Sequence, residues 1–275
     1  MAQWSRRQFI RSSSGLGVLG LSAIGVGGDA LTAQGAGTPA SPGSVLAGWP
    51  RQDPAVVQEM VGVCHRDVVR VRELVERQPA LANAAIDWGF GDWEDALGAA
   101  SHVGRREIAE VLLAHGARPS IFSAAMLGQL DVVTALVAAC PGVQRTYGPH
   151  GITLMAHARA GGRDAAAVVE YLATLGDADR RPTMAPLEVR DRDAVVGRYA
   201  FGPGARDYLE VDVQNDQLGI ARPGTPRRFL LHTGDLTFFP SGVPSVTIAF
   251  ARPGGRVTQM TVADPGGHVT AKKTG

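Results

Sequence analysis

Between positions 60 and 160 the chain carries five histidines, His65, His102, His115, His150 and His157. Histidine is the commonest metal ligand and the side chain that most readily moves a proton near neutral pH. A zinc site needs three or four ligands converging tetrahedrally, commonly with two of them at fixed local spacing. No two of these histidines stand four apart, and no His-Glu-x-x-His run occurs. The spacing therefore predicts no metal, and His157, inside an alanine-rich helix, reads as a core histidine. Nucleophilic chemistry finds no footing either, since there is no Ser-x-x-Lys and no Gly-x-Ser-x-Gly. Gly202-Pro203-Gly204 and Gly254-Gly255 lie among predicted strands, where they make turns and not phosphate cradles. Asp191-Arg192-Asp193 and Arg227-Arg228 read as solvated surface charges. The expectation is no catalytic residue and no cofactor.

Aromatic residues make up only 6% of the chain, so their clustering is informative. Trp88-Gly89-Phe90-Gly91-Asp92-Trp93 is the densest group, with glycines between the rings. Two roles fit it: a projecting loop that docks a partner through large rings, or a lid folded back over neighbouring helices. Tyr147-Gly148-Pro149-His150-Gly151 is a second such loop.

The elements that hold these loops are repeated helix pairs. The clearest runs Leu97-Gly98-Ala99-Ala100-Ser101-His102-Val103-Gly104, then Arg105 through Leu112-Leu113-Ala114-His115-Gly116-Ala117. Similar frames turn at Asp67, Gly128 and Gly161, at spacings of 37, 24 and 33 residues along the chain. Each pair sets a small-residue first helix against a second helix with Ile, Val and Leu recurring on one face: Ile108, Val111 and Leu112 in one, Val132, Val133 and Leu136 in another. No single pair can bury that face alone, so each needs a neighbour.

On these residues, 55–179 resembles the ankyrin-repeat family, in four units. The family's Thr-Pro-Leu-His entry is degraded, to Asp95-Ala96-Leu97-Gly98 and Gly151-Ile152-Thr153-Leu154, although Asp95 retains the chemistry of a helix cap. The resemblance implies a hairpin finger at Trp88–Trp93, a second at Tyr147 and His150, and a concave face bearing His65/Arg66, His102/Val103, Met126/Leu127 and Arg159/Ala160. Partner-binding residues on this basis are Trp88, Phe90, Trp93, His102, Met126, Leu127, Tyr147, His150 and Arg159. For Met126 and Leu127, packing between repeats is the competing role.

The first residues, Ser5-Arg6-Arg7-Gln8-Phe9-Ile10-Arg11, resemble a twin-arginine export signal, with Arg6, Arg7 and Phe9 at its marked positions. This implies a signal over 1–33, a Gly/Pro/Ser-rich leader over 34–54, and a periplasmic or secreted mature chain. The glycine-diluted apolar segment is too short for a stable membrane span. Cys64 and Cys140 sit in non-adjacent repeats, too far apart for a disulfide, and read as two buried thiols.

After a linker at 180–190, helical periodicity gives way to eight short alternating runs between 195 and 271, separated by turns such as Asn215-Asp216, Pro223-Gly224 and Pro265-Gly266-Gly267. This predicts a small antiparallel β-barrel or half-barrel over 191–275. The segment resembles the accessory β-domain behind some bacterial serine-hydrolase and penicillin-binding-protein-like enzymes, through Val196-Gly197-Arg198-Tyr199, Leu209-Glu210-Val211, Leu236-Thr237-Phe238 and Val246-Thr247-Ile248-Ala249-Phe250. The fold class expected is α+β in two domains, an ankyrin-type solenoid followed by the barrel. A net charge of +1, with no basic stripe, argues against nucleic acid. The function expected is non-catalytic binding of a protein or peptide, and the alternative is a periplasmic hydrolase-associated or metal-dependent enzyme using the His-lined face.

Overall fold

Four helix pairs and an eight-stranded barrel follow one another along residues 50–275, the part of the chain that the computed structural model describes. The expected signal, with Arg6, Arg7 and Phe9, and the leader up to residue 49 lie outside the described residues. The pairs are α1 (Pro54–Val63) with α2 (Val68–Arg77), α3 (Ala96–His102) with α4 (Arg106–Ala114), α5 (Ile121–Met126) with α6 (Leu130–Ala139), and α7 (Leu154–Ala160) with α8 (Ala166–Leu175). Asp53, Asp67, Asp95, Ser120 and Thr153 cap the first helices and α2 by accepting a backbone N–H into the side-chain oxygen. Each such cap is worth about 1 kcal/mol.

The second helices bury Val71, Leu74 and Val75, then Ile108, Val111 and Leu112, then Val133, then Val168 and Leu172. Val132, expected on the same face as Val133, is 45% exposed. The first helices do not stack in a simple file. α3 packs against α1, α5 and α7. Its buried residues Ala96, Gly98, Ala99, Ala100 and Ser101 are small enough to admit three neighbours, with the Ser101 hydroxyl donating to the Leu97 carbonyl at 2.6 Å. Gly104 (φ 71°) and Gly128 (φ 74°) make the left-handed turns, and a Cβ at either would collide with a backbone carbonyl oxygen, of Ala160 and Asp164 respectively. Glycine at these two turns thus lets the α7 unit close on the others.

Between α2 and α3 a hairpin forms from β1 (Ala85–Asp87) and β2 (Trp93–Asp95), with Ile86 opposite Glu94. Gly89, Phe90 and Gly91 at its tip all have positive φ. Tyr147 and Thr153 make an isolated bridge where the second finger was expected. Met126 is completely buried, so packing and not docking is its role.

A short helix, α9 (Val189–Val195), leads into the barrel. Its strands are β3 (Gly197–Ala200), β4 (Tyr208–Gln214), β5 (Gln217–Ala221), β6 (Arg228–Gly234), β7 (Thr237–Pro240), β8 (Thr247–Ala251), β9 (Gln259–Asp264) and β10 (Gly267–Lys273). All neighbours are antiparallel, and β10 closes on β3 through Lys272–Ala200 and Lys273–Tyr199, leaving no open sheet edge. Tyr199, Ile220, Phe238, Ile248 and Met260 are fully buried, and Val195 of α9 joins their core. The barrel is continuous with the array at the hairpin tip, where Phe90 packs against that same core. Among the described residues no helix is long and apolar enough to cross a membrane.

Both cysteines are free; Cys64 is buried, but Cys140, expected buried, is exposed where α6 ends. Burial pushes the Cys64 thiol up to about 12. Only about one Cys64 in ten thousand is then ionised at pH 8, and the thiolate is the reactive form. Alkylation of the native protein should add one group per chain and alkylation in denaturant two, as read by mass spectrometry.

Asp179, beyond α8, ties down the start of α7. Burial opposes its ionisation, but the Thr153 hydroxyl (2.7 Å) and Arg159 (2.6 Å) outweigh burial and hold the carboxyl below its ordinary 3.8. The stability it contributes is present above pH 3.8 and is lost as pH falls through the lower, folded-state value. Asp179→Asn should therefore cost about 0.5 kcal/mol at pH 7, the scale of an exposed pair, and the gap from wild type in urea titrations should close as pH falls through the lowered folded-state value.

Candidate functional site

A wholly buried carboxylate, Glu94, stands at the centre of the array. Alternation along β2 puts Trp93 and Asp95 on one face and Glu94 on the other, turned inward toward the first helices. Three histidines surround its Oε1: His65 Nε2 at 3.2 Å, His150 Nε2 at 3.2 Å and His102 Nδ1 at 3.7 Å. The Trp88 indole N–H donates to the other oxygen at 2.9 Å. The sequence spacing predicted no convergent ligand set, and the fold corrects that expectation. His65 follows α1, His102 ends α3 and His150 precedes α7, so the packing of α1 and α7 on α3 brings all three together. His157 lies one ring further in, 6.4 Å from His102 between ring centres, and is fully buried. His115 bonds back to the Val111 carbonyl at 2.8 Å on its own helix.

The hydrogen bonds at the far side of each ring determine what faces Glu94. His65 Nδ1 lies 3.1 Å from the Val61 carbonyl and 3.2 Å from that of Gly62. Because a carbonyl can only accept, Nδ1 carries the proton, and a neutral His65 turns the lone pair of Nε2 toward Glu94 Oε1. At 3.2 Å from Oε1, that lone pair is satisfied by a metal cation between the two atoms or by a second proton on the ring. Among the described residues, His102 Nδ1 and Glu94 Oε1 are both buried without a directed hydrogen bond. The 3.2 Å approach of His150 to Oε1 is thus an ion contact without hydrogen-bond alignment.

His150 has its own support. Asp92, also buried, accepts the His150 backbone N–H at 2.8 Å and its ring Nδ1–H at 3.0 Å. The residue is held at φ 58°, a left-handed conformation uncommon for a non-glycine residue. Arg228 of the barrel completes the pairing, 2.7 Å from Asp92 Oδ2. Its side chain is 14% exposed, so it is no solvated surface charge.

Burial drives His102 down to about 4, leaving a neutral imidazole, whereas Asp92 and then Glu94 raise His150 to about 9. At Glu94 and Asp92 burial favours the neutral acids, but contacts to His150, with Trp88 and Arg228 respectively, override it and hold both below the ordinary carboxylate range. Among the described residues, His65, Glu94 and His102 bring their ligand atoms within 4.8 Å of one another, close enough to share one metal ion.

The docking residues expected from the sequence divide. Trp88 turns inward to Glu94, Phe90 packs on the barrel, and His102 and His150 belong to the cluster. Trp93 is 60% exposed. Tyr147 donates its hydroxyl to the Arg180 carbonyl at 3.0 Å, Arg159 pairs with Asp179, and Leu127 is half-buried. A cavity of about 310 Å³ opens on the other side of the hairpin, lined by Trp93, Phe122, Tyr147, Pro149 and Pro244, and it does not include the histidines. Glu94 and Asp92 were given no role in the sequence reading, and Arg228 was read as a surface charge. The one local signal for the two acids is the alternation in Asp92-Trp93-Glu94, which sets them on the face opposite the tryptophan.

Comparison with family models gives no match, and comparison with curated proteins gives none either. Among solved structures, one titled "Crystal structure of SurE" aligns at 26% identity over 41% of this chain and 27% of that chain, with a TM-score of 0.25. The match thus spans well under a third of that protein's length, and at this TM-score it carries no structural argument.

The two tryptophans should separate on truncation. Trp93→Ala removes an exposed ring and should change stability by no more than about 0.5 kcal/mol. Trp88→Ala removes a half-buried ring and the directed hydrogen bond that its indole donates to Glu94, and should cost about 2–4 kcal/mol. Equal unfolding midpoints in urea for the two variants would contradict this placement.

Proposed function

We propose that His65, Glu94 and His102 bind a divalent transition metal, zinc foremost, in an exported protein whose ankyrin-type array supplies the ligands. The observation that carries this reading is the convergence of His65 Nε2, Glu94 Oε1 and His102 Nδ1, the last two buried without a directed hydrogen bond among the described residues. Bonds of about 2.0–2.1 Å to a tetrahedral ion put neighbouring ligand atoms about 3.3 Å apart. The contacts of 3.2 and 3.7 Å bracket that value. Neutral imidazoles with a carboxylate suit zinc and its neighbours better than magnesium or calcium, which take oxygen ligands.

Two nitrogens and one oxygen leave a fourth position for water. That is the ligand composition of catalytic zinc sites, where the ion lowers the pKa of its water and polarises a carbonyl or phosphoryl oxygen. His65 and His150 are each about a third exposed, which gives the centre an edge toward solvent. The reading is accordingly a metal centre with the means for metal-assisted hydrolysis. Export rests on Ser5-Arg6-Arg7-Gln8-Phe9, and the twin-arginine route carries folded proteins, which suits a site assembled from two helix pairs and the hairpin between them.

Protein purified from the periplasm should contain about one zinc per chain by elemental analysis. Zinc at a hundred times its Kd should stabilise the fold by about 2.7 kcal/mol. His102→Ala and Glu94→Gln should abolish both effects. A wild-type chain that takes up no metal from micromolar zinc, or a His102→Ala variant that binds as wild type does, would sink the proposal.

A second reading, docking of a protein or peptide, is favoured by one feature. Trp93 projects beside the cavity that Phe122, Tyr147 and Pro149 line. Exposed rings at the rim of a concavity are what an interface anchor requires.

A further inference from the structure

We infer that Arg228, on the barrel, is a positioning residue for the metal centre, so that metal affinity depends on the barrel being seated against the array. The inference rests on the metal-binding reading above and assigns a role to the β-domain that its sequence alone leaves open.

The geometry converges on one guanidinium nitrogen. Arg228 Nη2 donates to Asp92 Oδ2 at 2.7 Å and to the Trp88 carbonyl at 2.9 Å. The other terminal nitrogen, Nη1, donates to the Ser241 carbonyl at 2.9 Å, which anchors the side chain within the barrel. Asp92 and Trp88 are the bases of two separate arms that end on Glu94. Along the first arm, Asp92 grips His150 by backbone and ring, and His150 Nε2 stands 3.2 Å from Glu94 Oε1. Along the second, the Trp88 indole donates to Glu94 Oε2 at 2.9 Å. Both oxygens of the carboxylate are therefore approached by groups that a single barrel side chain holds from behind.

Such support matters because a carboxylate ligand is only as well aimed as the groups that hold it. Loss of outer partners of this kind typically weakens metal binding about 10–100-fold. Phe90 keeps the same hairpin tip on the barrel core by apolar contact, so removing the guanidinium should loosen the aim of Glu94 without undocking the hairpin. Arg227, the adjacent residue, serves as an internal control. It pairs with Asp212 at 2.6 Å and donates to the Gln217 carbonyl, both within the barrel.

The test uses the full chain, with zinc Kd measured by competition against a chromophoric chelator and the ligand geometry read from the visible absorption of bound Co²⁺. Arg228→Ala should bind zinc about 10–100-fold more weakly than wild type, with altered Co²⁺ bands. Arg228→Lys, which keeps the charge but cannot bridge Asp92 and Trp88 together, should fall between them. Arg227→Ala should match wild type in both readouts. Should Arg228→Ala fail to fold, Arg228→Lys and Asp92→Asn carry the test. Wild-type affinity and an unchanged Co²⁺ spectrum in folded Arg228 variants would overturn this inference and leave the metal centre standing. No zinc binding by the wild-type chain would overturn both.

Discussion

The buried ion pair between Asp92 and Arg228 is the constraint on which the rest of this architecture turns. A carboxylate taken out of water carries a penalty of several kcal/mol, and it persists as an ion only where charge and hydrogen bonds replace the lost solvent. Asp92 is 2% exposed at its side chain and accepts from His150 twice and from Arg228 once. Those three bonds come from different parts of the chain, 58 and 136 residues away. A hairpin tip, the loop before α7 and a barrel strand are thereby held to one point. A buried pair of this kind adds little net stability over an apolar substitute of equal volume, but removing one partner is strongly destabilising. Its contribution is to orientation.

Orientation is what Glu94 needs. The carboxylate sits in a helical body lined largely by alanine, valine and leucine, where it demands positive charge around it. The array answers with histidines from three helix pairs, two of them with the ring's Nδ1 occupied from behind, by a backbone carbonyl for His65 and by Asp92 for His150. Backing of that sort fixes the ring and aims Nε2 inward, as in histidines that ligate metals. The small residues of α3 serve the same end by another route. Any larger side chain at Ala99 or Ala100 would hold the neighbouring first helices apart, and the three histidines would not meet.

The barrel enters this picture as a structural wall of the site. Closing the sheet through β10 and β3 satisfies every strand edge, so the barrel has no need of the array for its hydrogen bonding. Its contact with the array is instead specific and polar at Arg228 and apolar at Phe90. The hairpin read as a finger for a foreign partner is thus engaged within the chain itself, and Trp93 alone of its aromatic residues faces outward to solvent.

Much of the framework was legible in the residues taken in order. The glycine turns, the Ile/Val/Leu faces of the second helices and the eight alternating runs are local signals, because burial repeats every 3.6 residues on a helix and every two on a strand. All eight alternating runs form strands, and Asp95 caps α3 as its chemistry allowed. Periodicity shows that a residue points inward, but not what it meets there. For Met126 and Trp88 an outward and an inward role therefore both stay open in the sequence, and the structure packs one in the core and bonds the other to Glu94. His65, Glu94, His102 and His150 carry no mutual spacing rule because they come from different turns of the array. They meet only because small side chains let α1 and α7 close on α3, while a barrel arginine far along the chain holds the hairpin. Those are contacts between surfaces, decided when the elements pack, and no local pattern in the chain records them.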